Sequence, residues 1–227
     1  WANPKYAESV NKSTNGTKHS GAYKLLLKKE SKEMARKLGL KNAHEADICL
    51  DCHTDNVPVA LRGEKFQIDD GIGCEACHGG GSLHVDSDGD QILKFGELLP
   101  EESAAVCAKC HSDGKLMDWT HGEHALSDVS CNDCHSIHGG EKTALKQQDP
   151  ELCYTCHQEQ QAKANFPSHH PIKEGKMTCG DCHYPHGELN ASERTSDLCL
   201  DCHTRYQGPF VFGHAPVEDD CTVCHDA

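Results

Sequence analysis

The chain has 227 residues, of which 36% are apolar and 5% aromatic, with 20 glycines and a formal charge of −14. That is thin material for an ordinary peptide core, and the acidic balance excludes nucleic acid as a partner, since holding phosphates takes clustered Lys and Arg. No run approaches the ~20 apolar residues of a membrane-spanning helix, so no transmembrane segment is expected.

Residues 1–20 are polar, rich in Asn, Ser, Thr and Lys, and read as irregular chain. From Ala22 to Leu38 the pattern turns helical: Leu26, Met34, Ala35 and Leu38 fall near one face, with Lys28, Lys29, Lys32 and Arg36 outside. Gly39 is a natural stop, and Ser31 offers the cap of a second short helix if a break falls near Glu30-Ser31. Residues 1–48 hold ten basic and five acidic side chains, a net +5, which leaves −19 on residues 49–227. A basic head on an acidic body invites docking, either to an acidic redox partner or head-to-tail to another copy, with a solvated helical face as the plainer reading. Residues 1–48 are thus read as a basic segment with one amphipathic helix, packed on a unit formed by 49–227.

That unit opens on Cys49-Leu50-Asp51-Cys52-His53, a C-x-x-C-H pattern that returns seven times. The repeats are Cys74, Cys77 and His78; Cys107, Cys110 and His111; Cys131, Cys134 and His135; Cys153, Cys156 and His157; Cys179, Cys182 and His183; Cys199, Cys202 and His203; and Cys221, Cys224 and His225. All 16 cysteines are used. Covalent haem attachment requires this triplet: two thiols form thioethers to the porphyrin vinyl groups, and the adjoining imidazole becomes the proximal iron ligand. A zinc ribbon or a redox dithiol also uses C-x-x-C, but neither demands the histidine, and its chance recurrence in eight motifs is about 10⁻⁹ by composition alone.

Eight haem c groups, about one per 28 residues, make porphyrin the buried apolar matter. The expected fold is a haem-cored multihaem cytochrome c, mostly coil with short α-helices and little or no β-sheet. Motifs follow one another at 20 to 33 residues, first cysteine to first cysteine. Several sit on short helices: Asp149-Pro150 reads as N-cap and first helical residue before Cys153, Pro100-Glu101-Glu102 precedes Cys107, and Ser196 or Asp197 precedes Cys199. Gly79 to Gly81, Gly139-Gly140 and Gly208-Pro209 mark tight loops. Asp86, Asp88, Asp90 and Glu97 occupy positions 1, 3, 5 and 12 of a calcium loop, but the glycine stands at position 4 and flanking helices are lacking, so a solvated acidic turn is the better reading than calcium.

Ten histidines lie outside the motifs: His19, His44, His84, His121, His124, His138, His169, His170, His186 and His214. With three methionines in the chain, His/Met ligation cannot be general, whereas bis-His ligation of eight irons is within supply.

The segments Gly79-Gly80-Gly81-Ser82-Leu83-His84-Val85, Trp119 to His124, Ser168 to Met177, Pro185-His186-Gly187 and Gly208 to Val217 resemble the periplasmic decahaem cytochromes of outer-membrane porin–cytochrome conduits, from Cys74 to the end. The head, His19 to Tyr23 and Lys37 to His53, is similar to the tetrahaem electron-transfer cytochromes of ammonia oxidisers. The first resemblance implies distal ligands at His84, His124, His138, His169, His170, His186 and His214, and the second implies His19, leaving His44 and His121 spare. Two departures stand out. The chain stops two residues after His225, where the decahaem family continues with two more haem motifs, and Gly213 replaces an acidic residue.

The expected function is an octahaem electron carrier, not an enzyme, acting as a conduit or as a subunit of an extracellular filament. Its partners would be redox proteins, an outer-membrane porin or further copies of itself. Haem is attached outside the cytoplasm, so the expected location is periplasmic or extracellular, and a chain opening on Trp1 reads as a processed or trimmed form. The alternative is a multihaem reductase with one open haem, acting on a nitrogen or sulfur oxyanion.

Overall fold

The computed structural model describes residues 19–63, 66–112, 114–138, 144–187, 195–213 and 220–225; His214 lies outside them. Among the described residues eleven short α-helices alternate with 3₁₀ turns and coil, without a strand, and an isolated antiparallel bridge joins His135 to Leu145. The helices are α1 (Ala22–Leu26), α2 (Lys29–Lys37), α3 (Asp47–His53), α4 (Cys74–His78), α5 (Ser82–Asp86), α6 (Pro100–Ala108), α7 (Glu123–Leu126), α8 (Cys131–Cys134), α9 (Glu151–Tyr154), α10 (Gln158–Lys163) and α11 (Thr195–Cys202). None is long and apolar enough to cross a membrane.

The helix expected over 22–38 is two helices, and the break falls at Leu27-Lys28 rather than at Ser31. Lys28 takes an extended conformation ahead of α2, while Ser31 Oγ donates to Leu25 O at 2.7 Å and ties the second helix back to the first. The break re-aims the apolar face. Leu26 and Ala35 are buried, but Met34 and Leu38 stand 63% and 61% exposed. Gly39 ends α2 as expected: at φ +72 it donates to Arg36 O (3.2 Å), and Leu40 donates to Ala35 O (2.8 Å).

Contacts divide the chain into two compact units, Trp1–Ser112 with Ser130–Leu145, and Asp113–Val129 with Lys146–Ala227. The head packs onto α3, the helix of the first motif, through a cluster of Leu26, Ala35, Ala43 and Leu50 with Tyr23, Leu40, Cys49 and Ile68 around it. In the second unit Ala164 is the buried apolar residue among those described. The buried polar residues are small: Thr54, Ser103, Ser130 and Ser196, all beside motifs.

Candidate haem attachment and ligand sites

Each motif needs one turn of helix to set its second cysteine and histidine on one side, and the local chemistry supplies it. Pro100 occupies the first position of α6, and Glu102 Oε2 accepts the Leu99 N–H at 3.0 Å. Ser130 caps α8, its N–H donating to Asp133 Oδ2 at 2.7 Å. The motifs at Cys179 and Cys221 are 3₁₀ turns. In the fifth motif the expected cap is displaced: Pro150 rather than Asp149 precedes α9, and Asp149 faces the sixth motif instead.

The imidazoles fall into pairs of one motif histidine and one other. Ring centroids lie 6.0 Å apart for His19 and His111, 6.0 Å for His78 and His138, 6.0 Å for His124 and His157, and 6.2 Å for His170 and His203. Two metal–nitrogen bonds of about 2 Å, with each ring centre about 1.2 Å behind its nitrogen, would put the ring centres roughly 6.4 Å apart. The separation is therefore that of two imidazoles on one six-coordinate metal. His170 faces His203 at a separation like that of the other three pairs.

The free ring nitrogen is assigned by what holds the other one. Nδ1 of His53 donates to Ala22 O (3.0 Å), His78 to Leu93 O (2.7 Å), His84 to Asp90 O (3.0 Å) and His124 to Pro185 O (2.9 Å). A carbonyl only accepts, so in the neutral ring the lone pair sits on Nε2, as iron requires. The acidic turn after α5 thus seats His84, while Glu97 pairs with Lys94 at 3.7 Å. Among the described residues its carboxylates do not converge as metal ligands. His169 differs: Nδ1 bonds Phe166 O and Nε2 faces Glu174 at 3.2 Å, and that hydrogen bond lowers the Glu174 pKa. Burial, then the facing His111, lowers the pKa of His19. His44, spare by sequence, keeps a buried Nδ1 without a hydrogen-bond partner.

The thiols gather in twos. Cys107 shares a hydrogen bond with Cys131, which raises the first and lowers the second to about 7. Cys199 and Cys221 also contact each other, and Sγ of Cys153 and of Cys179 lie within 4.8 Å of one another and of an Asp149 oxygen. Burial raises Cys179, and together with Cys52 it pushes Cys110 to about 11. These groups stand where thioether sulfurs would be, which do not titrate, so the shifts report proximity. The second thiols also join the first motif to the third: Cys52 Sγ lies 3.9 Å from Lys109 O, and Cys110 Sγ 3.7 Å from Asp51 O. Spatial neighbours are therefore not only sequence neighbours.

Glycines that the motif pattern did not single out let ligand segments approach. At Gly71 (φ +79) a Cβ would lie 2.6 Å from Ser20 O, and Ile72 N–H donates to His19 O at 3.2 Å, so this strand of coil seats His19. A Cβ on Gly122 would meet Gly187 Cα at 3.3 Å where the His124 and His186 segments cross.

Family models match three stretches: cytochrome c554 and c-prime over residues 8–79, cytochrome c-type protein NrfB-like over 74–146, and a doubled CXXCH motif over 169–208. The chain is 36% identical over 191 residues to the multiheme cytochrome MtrA of Shewanella baltica, covering 77% of this chain and 57% of that one. It is 28% identical over 130 residues to the cytochrome c-type protein NrfB of Escherichia coli (52% and 68%), and 27% identical over 205 residues to the C-type polyheme cytochrome OmcC of Geobacter sulfurreducens (69% and 26%). The chain thus spans little more than half the length of the MtrA relative.

Proposed function

The chain belongs to the multihaem c-type cytochromes, and from that premise we propose that it carries electrons along a row of eight bis-His haems, as a segment of an extracytoplasmic conduit between redox partners. When bound, haem c supplies one-electron exchange at an iron whose potential the ligands and burial set. The sixteen cysteines would anchor these groups, and the eight motif histidines would be the proximal iron ligands. His19, His138, His124 and His170, which face His111, His78, His157 and His203, would be their distal partners. His84, His169, His186 and His214 would be the remaining distal ligands.

The observation that carries this reading is the set of four mixed imidazole pairs at 6.0 to 6.2 Å. A reductase of nitrogen or sulfur oxyanions would need an open distal position, whereas here every motif is complete and ten further imidazoles stand against eight irons. The likeness to MtrA supports a conduit held by an outer-membrane porin. One feature favours the filament instead: α2 presents Lys29, Lys32, Arg36 and Lys37 on an exposed face, suited to the acidic body of another copy.

The test is the purified holoprotein. Mass spectrometry should count eight haems, EPR of the oxidised form should show only low-spin iron, and the reduced form should not bind carbon monoxide. A stoichiometric high-spin, carbon-monoxide-binding haem would overturn the carrier in favour of the reductase. Negative-stain microscopy separates filaments from discrete particles.

A further inference from the structure

The short helices of the motifs leave their first N–H groups without intrahelical acceptors. In each consecutive pair of motifs, a side chain from beside the odd motif reaches the first turn of the even one. In the first pair, Asp55 accepts the Gly73 N–H at 3.0 and 3.1 Å, just ahead of Cys74. In the second, the fully buried Ser103 hydroxyl donates to Asn132 Oδ1, in the turn that begins at Cys131. In the third, Asp149 accepts the Cys179 N–H (3.0 Å) and the Gly180 N–H (3.1 Å), one on each oxygen. In the fourth, buried Ser196 accepts the Cys221 N–H at 3.0 Å.

The positions recur as well as the contacts. Ser103 and Asp149 each stand four residues before the first cysteine of their motif, and Ser196 three before. In those three pairs the first cysteines of the two motifs touch: Cys107 with Cys131, Cys153 with Cys179, and Cys199 with Cys221. Asp149, Cys153 and Cys179 gather closely enough to suggest a metal site, but both Asp149 oxygens are taken by amides, so the group is a clamp.

We propose that Asp55, Ser103, Asp149 and Ser196 are positioning residues that register the two motifs of each consecutive pair and so hold the paired haems at one separation. This rests on the carrier reading above. A short polar side chain bonded to the first turn of a neighbouring motif fixes its distance to within a hydrogen bond, which long apolar contacts between such short helices cannot do. The protein's part in electron exchange is spacing and orientation, and these side chains set the spacing.

The experiment compares holoprotein carrying Asp149→Ala, Asp149→Asn, Ser196→Ala or Ser196→Thr with the unaltered chain. Amide exchange at Cys179 and Gly180 should quicken about 10- to 100-fold in Asp149→Ala, as loss of bonds to a charged acceptor implies. The exciton couplet of the Soret circular dichroism should lose the share of one pair in four, with the haem count unchanged. Asp149→Asn, which retains one acceptor, should quicken one of the two amides; Ser196→Thr should match the unaltered chain where Ser196→Ala does not. Unchanged exchange and an unchanged couplet in Asp149→Ala overturn the proposal. If Asp149→Ala does not load haem, equal protection of both amides in Asp149→Asn overturns it. The haem count and spin state of the unaltered chain test the carrier reading separately, and the exchange comparison stands whatever that count is.

Discussion

The head and the second unit are built on different physics. Around the first motif, Leu26, Ala35, Ala43 and Leu50 are at most 5% exposed and form a small peptide core that seats α3. In the second unit the described residues bury little apolar surface of their own, and what is buried is Ala164 and the hydroxyl side chain of Ser196. There the order comes from backbone capping and clamps such as Asp149 onto Cys179 and Gly180, and from imidazoles facing each other. The first region can hold its shape by transfer of apolar groups out of water; the second depends on what its cysteines and histidines bind.

That contrast can be broken in four places. The largest effect is expected from Cys153→Ser combined with Cys156→Ser, which removes an attachment in the unit without a peptide core. Haem loss there should bring proteolytic sensitivity across residues 146–225, read by limited proteolysis and mass spectrometry, while amides of α1 to α3 keep their protection. Leu50→Ala should do the reverse, costing about 2–5 kcal/mol of local stability in the head by hydrogen exchange and sparing the second unit. Equal sensitivity of both units to either change would dissolve the distinction.

A pH dependence sharpens the picture within the first unit. Burial raises the Asp55 carboxyl to about 6, against the N–H bond from Gly73 that lowers it. The folded state therefore holds a proton that the unfolded chain releases near pH 4, and stability from this group is present below pH 4 and lost as pH rises to about 6. The loss is at most about 3 kcal/mol by linkage, and it should vanish in Asp55→Asn when denaturant melts at pH 4.5 and 7 are compared. The smallest global effect is expected from Gly71→Ala, about 1–3 kcal/mol from the positive φ and the close Ser20 carbonyl. Its signature is spectroscopic: with His19 displaced, one haem should turn high-spin and bind carbon monoxide, and a fully low-spin spectrum would show that Gly71 does not seat that ligand.

The chain's composition and its C-x-x-C-H repeats already pointed to covalent haem, short helices and coil with little or no sheet, because thioether chemistry demands those residues at that spacing. The stop at Gly39 and the proline at the start of α6 were equally legible, being local. The break at Leu27-Lys28 was not. It depends on where α1 and α2 each meet α3, and it turned Met34 and Leu38 outward.

Likewise, ten spare histidines could be counted from the sequence, but their partners could not. His170 opposite His203, or Cys52 beside Cys110, joins residues 33 and 58 positions apart. Asp149 looked like the cap of its own helix and proved to hold another motif's first turn. Attachment chemistry is written within five consecutive residues and survives any fold. Which imidazole meets which, and how far apart two motifs lie, is decided by contacts across the chain, where a single side-chain oxygen can choose between partners that the sequence presents as equals.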